Sequence, residues 1–193
     1  TNADIDISVW GGQVEIDCLY ASSTIITDGS ATTREVDKCT DAGDVNLFNI
    51  TEGTIYLYVN NYGQPLNAYN NITLSDNSTS DFIRFQFQAS TATVGTIKVT
   101  IFNGSTTFEY TIQDVTENQK NKIAVSFNDN RFNVYFNGVL KKSQTSGYFP
   151  TGLLEFNFAD EGGTSRFFEG KVYDARIYDT TLSQSELETL TTL

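Results

Sequence analysis

Residues 122–142, KIAVSFNDNRFNVYFNGVLKK, carry the clearest local geometry in the chain. Ile123, Val125 and Phe127 alternate into a turn at Asn128, Asp129 and Asn130, and Phe132, Val134 and Phe136 alternate out of it towards Asn137-Gly138. A period of two puts each hydrophobic set on one face of a strand, and an Asn-Gly pair suits a tight hairpin turn. The stretch therefore predicts neighbouring strands of an antiparallel meander.

The same pattern extends outward. In EGTIYLYVN (52–60), Ile55, Leu57 and Val59 share one face while Tyr56 and Tyr58 share the other. FIRFQFQ (82–88), VGTIKVTIF (94–102) and TTFEYTIQ (106–113) read as strands, the last two joined across Asn103-Gly104. The polar connector between 61 and 81 carries one short candidate strand around Ile72–Leu74, and LLEFNFAD (153–160) and FFEGKVYDARIYD (167–179) supply closing strands. DIDISVW (4–10) and QVEIDCLY (13–20) read as two more around a Gly-Gly turn, followed by a long Ser-, Thr-, Asp- and Gly-rich excursion over 21–44. About a dozen short strands at this spacing predict an all-β, two-sheet antiparallel sandwich. Length favours one domain over residues 1–193, with 1–45 either a divergent part of it or an added strand pair.

One helix is expected, at the C-terminal end. Ser183 can cap it, Glu186 can reach back to the cap, and Leu182 can pack on Leu187. Two turns cannot stand alone in water, so Leu187 and Leu190 must pack against the sandwich.

Composition narrows the function classes. A net charge of −12 with no histidine opposes a nucleic-acid partner and an anionic membrane surface. No apolar run approaches the roughly 20 residues that cross a bilayer, so no membrane insertion is expected. The absence of histidine also removes Ser-His-Asp and Cys-His chemistry and the usual proton shuttle near neutral pH. No Gly-rich cradle is paired with a lysine, and there is no nucleophile elbow. The chain does not open on Met or a signal-like segment and reads as a processed, trimmed or excised piece. Cys18 and Cys39 either close a disulfide in an oxidising medium or remain two buried thiols.

With these strands in place, the C-terminal part resembles a known family. FNVYFNGV (132–139), FPTGLLEFNF (149–158) and FFEGKVYDARIYDTTLSQSEL (167–187) resemble the closing strands and helix of laminin-G-like domains, members of the concanavalin A-like jelly-roll superfamily. EGTIYLYV (52–59) resembles an earlier strand of the same pattern. The FPTG turn and the YDTTLS step look most like domains on tail, fibre and other virion proteins of bacterial viruses. The resemblance implies a jelly-roll sandwich and a binding or adhesion module, on a virion or in the extracellular space. Glycans or a host-cell receptor are its implied partners; the alternative is a structural decoration or fibre domain contacting other virion proteins or its own copies.

The superfamily also contains glycoside hydrolases with an E-x-D-x-x-E strand. Here Glu15 and Asp17 resemble part of it, but Tyr20 stands where the second glutamate is needed, and a phenol does not substitute for that carboxylic acid. No enzyme activity is expected. Laminin-G-like domains often hold Ca2+ at a sandwich edge, so the resemblance makes Asp76, Asp81, Asp129, Asp160 and Glu161 candidate ligands; the bland reading is a solvated acidic rim. A sugar needs aromatic faces and short polar groups, which Tyr62, Tyr69, Asn70, Asn71 and Tyr148 could supply from predicted loops. Trp10, ending a predicted strand, reads as packing.

Overall fold

The computed structural model describes residue 30 and residues 51–61, 68–91, 93–128 and 131–193, with backbone alone at 106 and 107. The elements described here lie within the unit Lys38–Leu193. They are β1 (Glu52–Asn61), β2 (Tyr69–Ser75), β3 (Asp81–Ala89), β4 (Val94–Asn103), β5 (Thr106–Thr116), β6 (Lys120–Asn128), β7 (Arg131–Phe136), β8 (Val139–Gln144), β9 (Glu155–Asn157), β10 (Gly170–Tyr178) and the helix α1 (Gln184–Thr191). The strands at 4–20 expected from sequence, and the turn residues Asp129 and Asn130, lie outside the described residues.

Two five-stranded antiparallel sheets form the jelly-roll-like sandwich, ordered β10-β1-β6-β7-β8 and β5-β4-β3-β2-β9. Strands that follow one another through short turns pair as hairpins, β2 to β5 in the second sheet and β6 to β8 in the first. The alternation in 122–142 becomes the pairing of Val125 with Val134 and Phe127 with Phe132. Asn137 and Gly138 both adopt positive φ, 47° and 81°, which gives the turn the twist that adjoining strands require.

The inward set from β1, β6 and β7 meets Ile72, Leu74, Ile83, Phe85, Phe87, Ile97, Val99, Ile101 and Phe108 in one core. Phe108 of the second sheet lies 5.6 Å from Phe132 of the first, and Phe149 stacks on Phe127 at 3.6 Å. Each such side chain taken out of water contributes about 1.5–3 kcal/mol, so the alternating pattern alone drives the two sheets together.

Two elements differ from expectation. The strand around Ile72–Leu74 is longer, because Tyr69 to Ser75 pair in unbroken register with Gln88 to Phe82, which absorbs the polar residues that obscured it. Of residues 153–160 only Glu155–Asn157 are strand, because β9 finds β2 partners only at Thr73, Leu74 and Ser75. The helix forms as expected. Ser183 and Glu186 make the reciprocal capping box, and Leu187 is buried with Tyr56, Ala124 and Tyr135 on the outer face of the first sheet.

Candidate functional site

Strand alternation divides the candidate ligand residues of β2. Tyr69, Asn71 and Thr73 point away from the core, whereas Asn70 follows Ile72 and Leu74 inward. Cross-strand register then builds a polar outer face on the second sheet: Tyr69 lies opposite Gln88, Asn71 opposite Gln86, and Thr73 opposite Arg84, which itself lies opposite Thr100.

The segment after β9 covers the β2 side of that face. Thr73 Oγ1 donates to Ala159 O and Ser75 Oγ donates to Glu161 O, both at 2.8 Å. Asn71 N donates to Arg166 O at 2.8 Å, and Arg84 Nη1 pairs with Glu161 Oε1 at 2.8 Å. On this face Asn71 Nδ2 and Oδ1, Arg84 Nε and Thr100 Oγ1 have no hydrogen-bond partner among the described residues. A buried polar group left in that state costs about 1–3 kcal/mol, so this row holds polar atoms that no described residue satisfies. At the edge of the row Tyr69 is 42% exposed, with the Arg166 guanidinium 6.0 Å from its ring centre.

Asn70 belongs to a different structure. Its Nδ2 donates to Asn61 Oδ1 at 3.1 Å, and Asn61 Nδ2 donates to Glu117 Oε2 at 2.9 Å. This chain of bonds ties β1, β2 and the β5–β6 turn together at one end of the sandwich. Burial pushes the Glu117 carboxyl up from its ordinary value, against the hydrogen bond from Asn61. Tyr148 is 71% exposed at the opposite end, where Asn103 Nδ2 donates to Phe149 O and Thr151 N donates to Asp81 Oδ1. Tyr62 lies outside the described residues. Of the five residues expected to line a sugar site, the structure brings Tyr69 and Asn71 to one face and places Asn70 and Tyr148 elsewhere.

The described candidate calcium ligands Asp76, Asp81, Asp160 and Glu161 are each engaged locally. Both carboxylate oxygens of Asp76 accept from Ser78 Oγ, at 2.7 and 2.8 Å. Asp160 accepts from Thr164 N at 2.9 Å and from the amide and hydroxyl of Ser165. Burial works against its ionisation, yet the Ser165 and Thr164 hydrogen bonds and Arg166 hold its pKa below the ordinary value. Glu161 is paired with Arg84, and Asp81 with the Thr151 amide. Among the described residues no three His, Cys, Asp or Glu side chains gather where one ion could be held. Asp129, Cys18, Cys39 and the Glu15–Tyr20 strand lie outside the described residues.

Sequence reading overlooked Arg84, Gln86, Thr100 and Arg166. The available signal was the polar half of FIRFQFQ, whose alternation puts Arg84 and Gln86 opposite the aromatic face.

The family model described as the concanavalin A-like lectin/glucanases superfamily matches residues 36–188. The chain belongs to that superfamily. No curated protein matches it in sequence. Among solved structures, the CBM40 of the Ruminococcus gnavus IT-sialidase bound to α2,6-sialyllactose superposes with a TM-score of 0.60 at 15% identity, covering 82% of this chain and 95% of that one. The K499G mutant of NanB sialidase from Streptococcus pneumoniae has a TM-score of 0.60 at 14% identity over 77% of this chain, and the leech intramolecular trans-sialidase 0.58 at 17% over 75%. This chain spans 25% and 24% of those two enzymes. What this chain shares with them is the concanavalin A-like sandwich fold.

Proposed function

We propose that the chain is a non-catalytic carbohydrate-binding module that takes sugar on the outer face of its second sheet, at the Tyr69 end. The observation that carries this reading is the exposed Tyr69 ring, 42% accessible, with the Arg166 guanidinium 6.0 Å from its centre at the edge of a polar sheet face. A pyranose presents an apolar face suited to an aromatic ring and hydroxyls that both donate and accept, directly or through water. The Ruminococcus gnavus CBM40 that shares the fold is bound to a sialyllactose, which makes sialosides the first probes.

The reading takes residues 1–193 as one domain and puts it in the extracellular space or on a virion surface, with a host-surface glycan as its partner. It draws on the resemblance of residues 132–187 to virion-protein domains and on the low lysine content of an Asn-, Thr- and Ser-rich chain. No described helix is long and apolar enough to cross a membrane. One feature favours assembly through protein contacts as the second reading: the edge strand β8 exposes Val139 at 53% and Leu140 at 42%. Lys141 and Lys142 follow directly and blunt that edge.

Calorimetric titration of the purified chain with sialyllactoses and a panel of neutral oligosaccharides tests the proposal, with Tyr69→Ala as the variant. Binding of at least one sugar, weakened about tenfold or more in the variant, is expected when an aromatic platform is removed. Absence of binding across the panel by folded protein, or equal binding by the variant, would overturn it. Parallel titrations in calcium and in EDTA reveal whether the acidic residues recruit an ion.

A further inference from the structure

The outer face of the first sheet carries a second concentration of chemistry. Helix α1 contacts β6, β7 and β8 on that sheet, and the β1–β10 side carries Tyr58 and Tyr173. The register between these strands shifts at Tyr58/Val59: Tyr58 pairs with Asp174 and Val59 with Val172, leaving Tyr173 as the extra residue of a bulge. A bulge re-aims the side chain it carries. Here the Tyr173 ring lies 4.8 Å from the Tyr58 ring, tilted by 31°, and remains 36% exposed.

Cations collect around this pair. The ammonium groups of Lys120 and Lys171 each lie 4.9 Å from the centre of Tyr173, and that of Lys122 lies 5.2 Å from the centre of Tyr58. Arg176, 5.9 Å from the Tyr56 ring centre, adds a fourth. A chain of net charge −12 thus gathers four of its 12 Lys and Arg residues on one patch. Arg176 is paired with Asp174 at 2.6 Å, and Lys122 donates to Thr192 O. Lys120 and Lys171 have no carboxylate partner among the described residues.

We infer that this patch is a binding site for an anionic saccharide, a pyranose bearing a carboxylate or a sulfate. The tyrosine pair takes the apolar face of the ring, and Lys120 and Lys171, on opposite sides of β1, converge on the anionic substituent. Charge complementarity is local. The negative charge of the rest of the chain disfavours a long, densely charged polyanion such as duplex DNA and leaves a short acidic saccharide as the better fit. The site is on the opposite sheet from Tyr69 and does not depend on the function proposed above.

Titration of the whole chain at low salt with a sulfated oligosaccharide, an oligouronate, a neutral oligosaccharide and a DNA duplex tests the inference; the first two distinguish sulfate from carboxylate. Binding of at least one acidic saccharide is expected, weakening as salt is raised, with neither neutral sugar nor duplex matching it. The double variant Lys120→Glu, Lys171→Glu should lose about tenfold or more in affinity, and Tyr173→Ala about fivefold. No acidic saccharide bound by folded wild-type protein would overturn the inference. So would an equal affinity for the duplex, or affinities unaltered in the Tyr173 and double-lysine variants. Loss on Tyr69→Ala alone would overturn it in favour of the other sheet.

Discussion

Asn61 donates its side-chain amide to the buried carboxyl of Glu117 at 2.9 Å, and this bond closes the end of the sandwich where β1 and the β5–β6 turn meet. One hydrogen bond does not replace the water that Glu117 loses, so its pKa stands above the ordinary 4.5.

A raised carboxyl pKa sets the sign of a pH effect. The favourable contribution of protonated Glu117 is complete below the ordinary carboxyl range and is lost as pH rises through the raised value. Glu117→Gln, which keeps an acceptor for Asn61 and never ionises, should melt above wild type at neutral pH. The gap should close in acid, as read by thermal melts across the carboxyl range. A variant that melts lower at neutral pH and higher in acid would contradict this.

Asp160 should behave in the opposite sense. Its pKa lies below the ordinary 3.8 despite burial, because Ser165 and Thr164 donate to the ionised form. The stability it contributes is present above that ordinary value and disappears as pH falls through the lowered one. Asp160→Asn should therefore be less stable than wild type at neutral pH and indistinguishable from it in strong acid. Denaturant melts at both extremes measure the difference.

Asn71 is fully buried, with both side-chain polar atoms unpartnered among the described residues. Replacing such a group by an apolar residue of similar shape is neutral or stabilising. Asn71→Leu should therefore hold or raise stability, by up to about 1 kcal/mol in chemical denaturation. Loss of stability would show that the amide serves the fold.

The helix offers a test of docking. Ser183 accepts from Glu186 N while Glu186 accepts from Ser183 N, and Leu187 is 2% exposed against the first sheet. Ser183→Ala should cost about 1 kcal/mol and Leu187→Ala about 2–5 kcal/mol in chemical denaturation. The larger loss at Leu187 would establish that packing, more than capping, holds the helix.

The strand pattern is legible in the residues alone, because alternation states which side chains leave water, and each strand carries that information locally. Ile123 to Phe136 with Asn137-Gly138, and the cap at Ser183, are legible for this reason. Which polar residues meet follows from how the strands are arranged in the folded chain. Asn70 and Asn71 are neighbours in the chain, yet the pleat sends one inward to Asn61 and the other outward beneath residues 158–166. Arg84 reaches Glu161 from far along the chain, and Lys120 meets Lys171 over Tyr173 because β6 and β10 flank β1. Such meetings depend on register and on which strand lies beside which. These are set by the summed burial of the whole core, not by any local run of residues.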